Sequence, residues 1–79
     1  MRIEYKKKAV KYINSCDKES KKRLLIAIKK LPLGDIKKLR GYDSRYRLRV
    51  GNVRVLFSMN YDIILIEDIA PRGQIYKKG

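Results

Sequence analysis

The sequence has 79 residues, of which 21 are Lys or Arg and 8 are Asp or Glu, so its formal net charge at pH 7 is +13. A chain of this length fits one domain, expected over residues 1–79, and its single cysteine and lack of histidine exclude an intramolecular disulfide and a Cys/His zinc site. Self-repulsion of so much positive charge destabilises a compact state, so we expect a polyanionic partner, either nucleic acid or an acidic protein.

The sequence also argues against membrane insertion and export. Its first residues alternate polar and apolar side chains and lack the apolar stretch of a signal peptide. A run of about 18 apolar residues, as a membrane-spanning helix requires, occurs nowhere in the chain. We therefore expect a cytoplasmic protein that does not bind membranes and whose cysteine stays reduced.

The N-terminal half predicts one strand followed by two helices. Residues 2–6 alternate polar and apolar side chains, which is typical of a half-buried strand. Apolar residues recur at helical spacing over residues 7–15, and Asp17 is a suitable N-cap for a second helix that Pro32 and Gly34 end. The very short turn between the helices favours an antiparallel helical hairpin. The expected apolar positions are Ala9, Val10 and Ile13 in the first helix and Leu24, Leu25, Ile28 and Leu31 in the second.

From Ser44 onward the apolar period changes to two, which predicts strands. Residues 45–50 alternate arginine with apolar side chains, and Gly51-Asn52 is a two-residue turn with glycine first, as in a type II′ hairpin. Residues 63–69 are almost wholly apolar and predict an interior strand that is covered on both faces. The predicted fold class is α+β, with an antiparallel β-sheet that carries the helical hairpin on one face in the order β-α-α-β-β-β.

The hairpin turn determines which arginines face one another. With two residues in the loop, Arg49 lies opposite Arg54, and Arg47 leaves the same face of the sheet two residues along. Guanidinium groups bind phosphate oxygens through two parallel hydrogen bonds, so three of them on one face favour an anion site. The alternative is a solvated face with one ion pair, in which Glu67 of the next strand bridges Arg54.

A second candidate cluster occupies residues 71–78. If Gly73 begins a helical turn, Arg72 and Tyr76 share a face at positions i and i+4. A tyrosine placed there can stack on an RNA base or exchange a proton with a ribose hydroxyl. Packing of the Tyr76 ring against the edge of the sheet is an equally open interpretation.

Three motifs together resemble the RelE branch of the RelE/ParE toxin superfamily. They are Lys38-Leu39-Arg40-Gly41, the arginine-rich hairpin from Tyr46 to Phe57, and Ile69-Ala70-Pro71-Arg72-Gly73-Gln74-Ile75-Tyr76-Lys77. The resemblance implies a toxin of a type II toxin–antitoxin system, a ribosome-dependent endoribonuclease that cleaves mRNA in the A site without a metal or other cofactor. It also implies an acidic antitoxin protein, encoded in the same operon, as the partner.

The resemblance also assigns roles to individual residues. By motif, the candidate catalytic residues are Arg54, Arg72 and Tyr76, joined by a basic pair that is often lysine in relatives and is Arg47 and Arg49 here. A guanidinium does not titrate usefully, so this pair is poorly suited to donating protons. Two other interpretations stay open: a ParE-like inhibitor of DNA gyrase and a non-catalytic nucleic-acid-binding relative. The candidate RNA-binding residues are Arg45, Arg47, Arg49, Lys38, Arg40 and Lys77.

Overall fold

The fold was analysed in a computed structural model of the chain, which describes residues 2–39, 41 and 44–71. Within these residues two helices follow the first strand and four further strands follow the helices, one strand more than the sequence pattern predicts. In chain order the elements are β1 (Arg2–Tyr5), α1 (Lys7–Ser15), α2 (Lys18–Lys29), β2 (Ile36–Lys38), β3 (Arg45–Val50), β4 (Val53–Asn60) and β5 (Ile63–Pro71).

Both helices lie where the apolar spacing predicts them. Asp17 has the extended backbone of an N-cap, and its carbonyl oxygen accepts a hydrogen bond from the Lys21 N–H at 2.9 Å, which begins α2. The predicted core positions are buried or packed against the core, with the exception of Val10, which is exposed. Neither helix of the described segments has the length and hydrophobicity to cross a membrane.

The five strands form one sheet in the order β1-β5-β4-β3-β2. The α+β class with helices on one face is confirmed, but the sheet is mixed rather than wholly antiparallel, because β1 pairs with β5 in parallel. The chain passes from β1 through both helices before it returns to the sheet, and such a crossover allows parallel pairing. Strand β2, which pairs with β3, was not predicted, because three residues are too few to show a period.

The hydrophobic core fills the space between the helices and one face of the sheet. Phe57 is fully buried there, and its ring stacks on that of Tyr46 with 5.5 Å between the ring centroids. Because side chains alternate along a strand, the burial of Leu48 and Val55 directs their neighbours in sequence to the opposite face. The buried core residues are Ala9, Ile13, Leu24, Ile28, Leu31, Leu48, Val55, Phe57, Ile64, Ile66 and Ile69.

Candidate nucleic-acid interface

The face of the sheet opposite the helices gathers basic side chains from three adjacent strands. We call it the arginine face and define it by Lys37 of β2, Arg47 and Arg49 of β3, and Arg54 of β4. Lys37 pairs with Arg47, and Arg49 pairs with Arg54, so each pair leaves the sheet on the same side.

The hairpin between β3 and β4 has the predicted register. Val50 pairs with Val53, and Arg49 therefore lies directly opposite Arg54, which confirms this part of the sequence prediction. Gly51 has a φ of 59°, as the first central residue of a type II′ turn requires. This turn thus places two like charges across from each other, an arrangement that is destabilising unless an anion joins them.

Arg54 is the most constrained member of the arginine face. Only 8% of the residue is exposed, and its Nε and Nη1 atoms are buried without a hydrogen-bond partner in the part of the chain that the structure describes. Burial of a charged donor without an acceptor is costly, since the group loses its water and gains nothing in return. An anion that reached these nitrogens would supply the missing acceptors.

Arg47 and Lys37 extend the cluster from β4 toward the edge of the sheet. Arg47 is 9% exposed, whereas Lys37 lies on the edge strand and is exposed. Lys37 was not predicted to join this face because strand β2 was not predicted. The signal in the sequence was the alternation of polar and apolar side chains at Asp35, Ile36 and Lys37. Lys38, by contrast, pairs with Tyr46, whose ring lies on the helix side, so Lys38 does not join the arginine face.

One carboxylate stands at the edge of the arginine face. The Arg49 Nε donates a hydrogen bond to Asp35 Oδ2 at 2.7 Å, and both side chains are about half exposed. The hydrogen bond from Arg49 lowers the pKa of Asp35, and the positive charges of Arg49, Arg47 and Arg54 lower it further. Asp35 therefore stays ionised at neutral pH and partly offsets the positive charge of the arginine face.

Glu67 does not occupy the position that the sequence predicted for it. It was expected opposite Arg54, but its Oε1 pairs with Arg45 Nε at 3.2 Å, and Arg54 pairs with Ala70 in the strand register. That position required a two-residue turn at Asn60-Tyr61, but Asn60 pairs with Ile63, so the turn lies at Tyr61-Asp62 and moves the register by two residues. An irregularity between Leu56 and Phe57 moves it by one residue more. Among the described residues, Glu67 therefore forms its ion pair with Arg45 rather than with Arg54.

Three titratable groups outside the arginine face are partly buried. Burial raises the pKa of the Tyr5 and Tyr12 phenols and that of the Cys16 thiol, which disfavours their ionised forms at neutral pH. Within residues 2–39, 41 and 44–71 there is also no group of three or more His, Cys, Asp or Glu that could hold a metal ion.

Several predicted site residues lie outside the described residues. Arg40 precedes Gly41, and Arg72, Tyr76 and Lys77 belong to the C-terminal segment that follows β5. Their roles, and the predicted helical turn from Gly73, stay predictions from the sequence.

A groove between α2 and the β2–β3 edge adjoins the arginine face. We call it the α2 groove; its volume is about 510 Å³, and Asp35 and Arg49 contribute to its wall. Ile26 and Leu33, two large apolar residues of its lining, are 48% and 72% exposed. Basic residues surround this apolar lining at Lys22, Arg23 and Lys30. The groove thus combines apolar surface with positive charge, which suits an acidic amphipathic segment.

Comparison with known proteins places this fold among toxins of toxin–antitoxin pairs. No protein-family model matches the sequence. Over 42 residues the chain is 45% identical to Toxin RelE3 of Methanocaldococcus jannaschii, and the match spans 53% of this chain and 48% of that relative, about half of its length. The fold also resembles a chain of the intact E. coli RelBE toxin–antitoxin complex, with a TM-score of 0.69 and 16% identity over 92% of this chain and 98% of that one.

Two archaeal structures match nearly the whole chain. A chain of the RelB–RelE antitoxin–toxin complex from Methanococcus jannaschii superposes with a TM-score of 0.77 and 31% identity over 95% of this chain and 96% of that one. The RelE–RelB complex from Pyrococcus horikoshii OT3 gives a TM-score of 0.76 and 31% identity over 92% and 96%. With this identity maintained along the whole fold, the chain belongs to the RelE toxin family.

Proposed function

We propose that this RelE-family protein is a ribosome-dependent endoribonuclease that cleaves mRNA in the A site and so inhibits translation. The observation that carries the proposal is the buried guanidinium of Arg54, which lies across from Arg49 and has no acceptor for two of its nitrogens. A phosphate of the RNA backbone has the charge and the oxygens that this site lacks. The family of the chain supports RNA as the source of that phosphate.

The proposed reaction is a transesterification within the RNA. The ribose 2′-oxygen gives its proton to Tyr76 or to water as it attacks the adjacent phosphorus, the bond from phosphorus to the 5′-oxygen breaks, and that oxygen takes up a proton from water. The products are a 2′,3′-cyclic phosphate and a 5′-hydroxyl. Negative charge grows on the non-bridging oxygens during the attack, and fixed cations aimed at that charge supply a large part of the catalysis.

The residues divide this work between them. In the proposed arrangement Arg54 and Arg72 hold the non-bridging oxygens, and Arg47 and Arg49 bind the flanking phosphates. Tyr76 stacks on a base or handles the 2′-proton. Because the ribosome completes the geometry in this proposal, free RNA should bind to the protein but be cleaved poorly.

We propose further that an acidic antitoxin neutralises the protein in the cytoplasm. The two archaeal relatives are known as complexes of RelE with RelB, which supports a partner of this kind. The α2 groove and the arginine face, which share Arg49, offer such a partner both apolar and cationic surface. Binding should raise the melting temperature, since a partner that binds only the folded state stabilises it; an unchanged melting temperature with a tightly bound antitoxin would contradict this.

The nuclease proposal is tested in a translation extract by mapping mRNA 5′ ends by primer extension. Arg54→Ala and Arg72→Ala should each lower the cleavage rate by about 100-fold or more, the loss typical of one charge-stabilising donor. Tyr76→Phe separates two roles, because stacking survives the change and proton transfer does not. The matched control is Arg23→Ala on the exposed side of α2, which should cleave like the wild type.

The outcomes discriminate between the functions that this fold can carry. Wild-type cleavage by all three site variants would refute the site assignment. Inhibition of supercoiling by DNA gyrase, without cut mRNA, would identify a ParE-like toxin instead. Salt-sensitive RNA binding with neither effect would identify a non-catalytic RNA-binding protein.

A further inference from the structure

Asp35 is attached to the arginine face by both its backbone and its side chain. Its carbonyl oxygen accepts the Arg49 N–H at 3.0 Å, and its Oδ2 accepts the Arg49 Nε–H at 2.7 Å. The carboxylate is 52% exposed, and the Arg49 side chain is 46% exposed. Asp35 therefore occupies one of the guanidinium positions that an incoming anion would use, and it does so at the solvent-accessible edge of the cluster.

We propose that Asp35 is an internal counter-ion of the arginine face, which holds Arg49 in the free protein and gives it up to an RNA phosphate. The inference rests on the proposed function in taking RNA as the anion. It adds that the chain contains its own competitor for the phosphate, and that Asp35 thereby sets the affinity and the salt dependence of binding.

The distribution of the other carboxylates supports this assignment. Among the described residues, the other ion pairs join Glu4 to Arg2, Asp68 to Lys8 and Glu67 to Arg45. Arg45 leaves the same face of β3 as Arg49, but it lies four residues farther along the strand, opposite Ser58. Asp35 is thus the carboxylate that pairs with a member of the cluster. The hydrogen bond from Arg49 has the largest lowering effect on the pKa of Asp35, and the charges of Arg49, Arg47 and Arg54 lower it as well.

The exposure of the pair makes the exchange feasible. A solvated ion pair contributes little to stability, so its rupture by a phosphate costs the fold little. Arg54 differs in this respect, because its Nε and Nη1 atoms are buried and have no hydrogen-bond partner among the described residues. The arginine face then has two parts: the buried guanidinium of Arg54 and the exposed guanidinium of Arg49, which an anion binds only by displacing Asp35.

This competition gives the proposed toxin a reason to depend on the ribosome. A carboxylate beside the phosphate site weakens binding of any isolated RNA strand, because it removes part of the attraction between the strand and the protein. Additional contacts made on the ribosome would restore the affinity. Asp35 would in this way suppress unproductive binding to free RNA.

The test compares Asp35→Asn with Glu4→Gln. Both changes remove one carboxylate from an exposed pair with an arginine Nε and keep the shape of the side chain. Glu4 lies on β1 and Asp35 adjoins β2, at opposite edges of the sheet. Four strand spacings separate these edges, about 19 Å, roughly twice the Debye length at physiological salt.

The probes are a short 2′-O-methyl RNA, which lacks the free hydroxyl needed for cleavage, and inorganic pyrophosphate. Binding of the RNA is measured by fluorescence anisotropy across a salt series, and binding of pyrophosphate by NMR of the arginine Nε–H signals. For Asp35→Asn we expect both dissociation constants to fall by a factor of about 3 to 10. Glu4→Gln should change each by less than about twofold, because its charge is screened from the site.

The two probes separate failure of this inference from failure of the proposed function. If Asp35→Asn leaves both affinities unchanged or weakens them, Asp35 is not a counter-ion of this site. If only pyrophosphate binds, and binds more tightly to Asp35→Asn, the counter-ion role stands and RNA is the wrong anion. In the wild type the Arg49 Nε–H signal should also move on addition of pyrophosphate; a signal that stays fixed at saturation contradicts the exchange.

Discussion

Arg54→Met tests whether the buried guanidinium is kept for a ligand rather than for stability. Nε and Nη1 of Arg54 are buried without an acceptor, and each such donor costs about 1–3 kcal/mol. Methionine preserves an unbranched apolar stem and carries no donor, and apolar replacement of buried ion pairs is often neutral or stabilises by about 1–4 kcal/mol. We expect the free energy of unfolding to rise by about 2 kcal/mol, which raises the melting temperature of a chain this size by roughly 8–16 °C.

The assay is urea denaturation followed by circular dichroism in a buffer free of phosphate and sulfate. Arg23→Met on α2 is the control, because Arg23 is exposed and its replacement should change the free energy of unfolding by less than about 0.5 kcal/mol. Inorganic phosphate should then raise the melting temperature of the wild type and leave that of Arg54→Met unchanged, since only the wild type retains the binding group.

The opposite result would refute the reasoning. If Arg54→Met is less stable than the wild type in the anion-free buffer, the guanidinium contributes to the fold and its burial no longer indicates a ligand. An equal response of both proteins to phosphate would show that the anion binds elsewhere.

Three further predictions concern the turn, the core and the electrostatics of the arginine face. Gly51→Ala should lower the free energy of unfolding by about 1–2 kcal/mol, because Gly51 has a φ of 59° while the space around it is open. Gly51→Asn should lower it less, because asparagine tolerates a positive φ better than alanine, and equal losses in urea denaturation would contradict a backbone cause. Phe57→Ala should lower the free energy of unfolding by about 3–5 kcal/mol in the same assay, because Phe57 is fully buried. Phe57→Leu leaves a smaller cavity and should lower it clearly less, and similar losses for both variants would argue against a cavity effect. Binding of single-stranded RNA should weaken with salt along a log–log slope near −3, about −0.7 for each of the four cations of the arginine face, and salt-independent binding would exclude phosphate contacts.

Local sequence rules were sufficient for the helices and for the central hairpin. The two-residue turn at Gly51-Asn52 leaves one register for β3 and β4, so the pairing of Arg49 with Arg54 follows from chain geometry alone. The same reasoning could assign the faces of β3, because Leu48 alternates with Arg47 and Arg49. For this hairpin the sequence contained enough information to place the side chains.

The features that escaped prediction depend on contacts distant in sequence. The parallel pairing of β1 with β5 joins Arg2 to Ile63 across the helical hairpin, and no local pattern encodes it. The turn at Tyr61-Asp62 and the irregularity between Leu56 and Phe57 together place Ala70 opposite Arg54, and Glu67 pairs with Arg45 instead. Side chains alternate between the two faces of a strand, so a single inserted residue changes which side chains lie opposite one another. The ion-pair partner of Glu67 could therefore not be predicted from the sequence.

The burial of Arg54 and the net charge of +13 act on stability in the same direction. Both raise the free energy of the free folded chain, one through lost hydration and the other through repulsion, and one polyanion relieves both. RNA and an acidic antitoxin would therefore compete for the same stabilisation if both reach the arginine face. Under the proposed function, an antitoxin that binds Arg54 inhibits cleavage directly, because the Arg54 donors are then not available to the scissile phosphate.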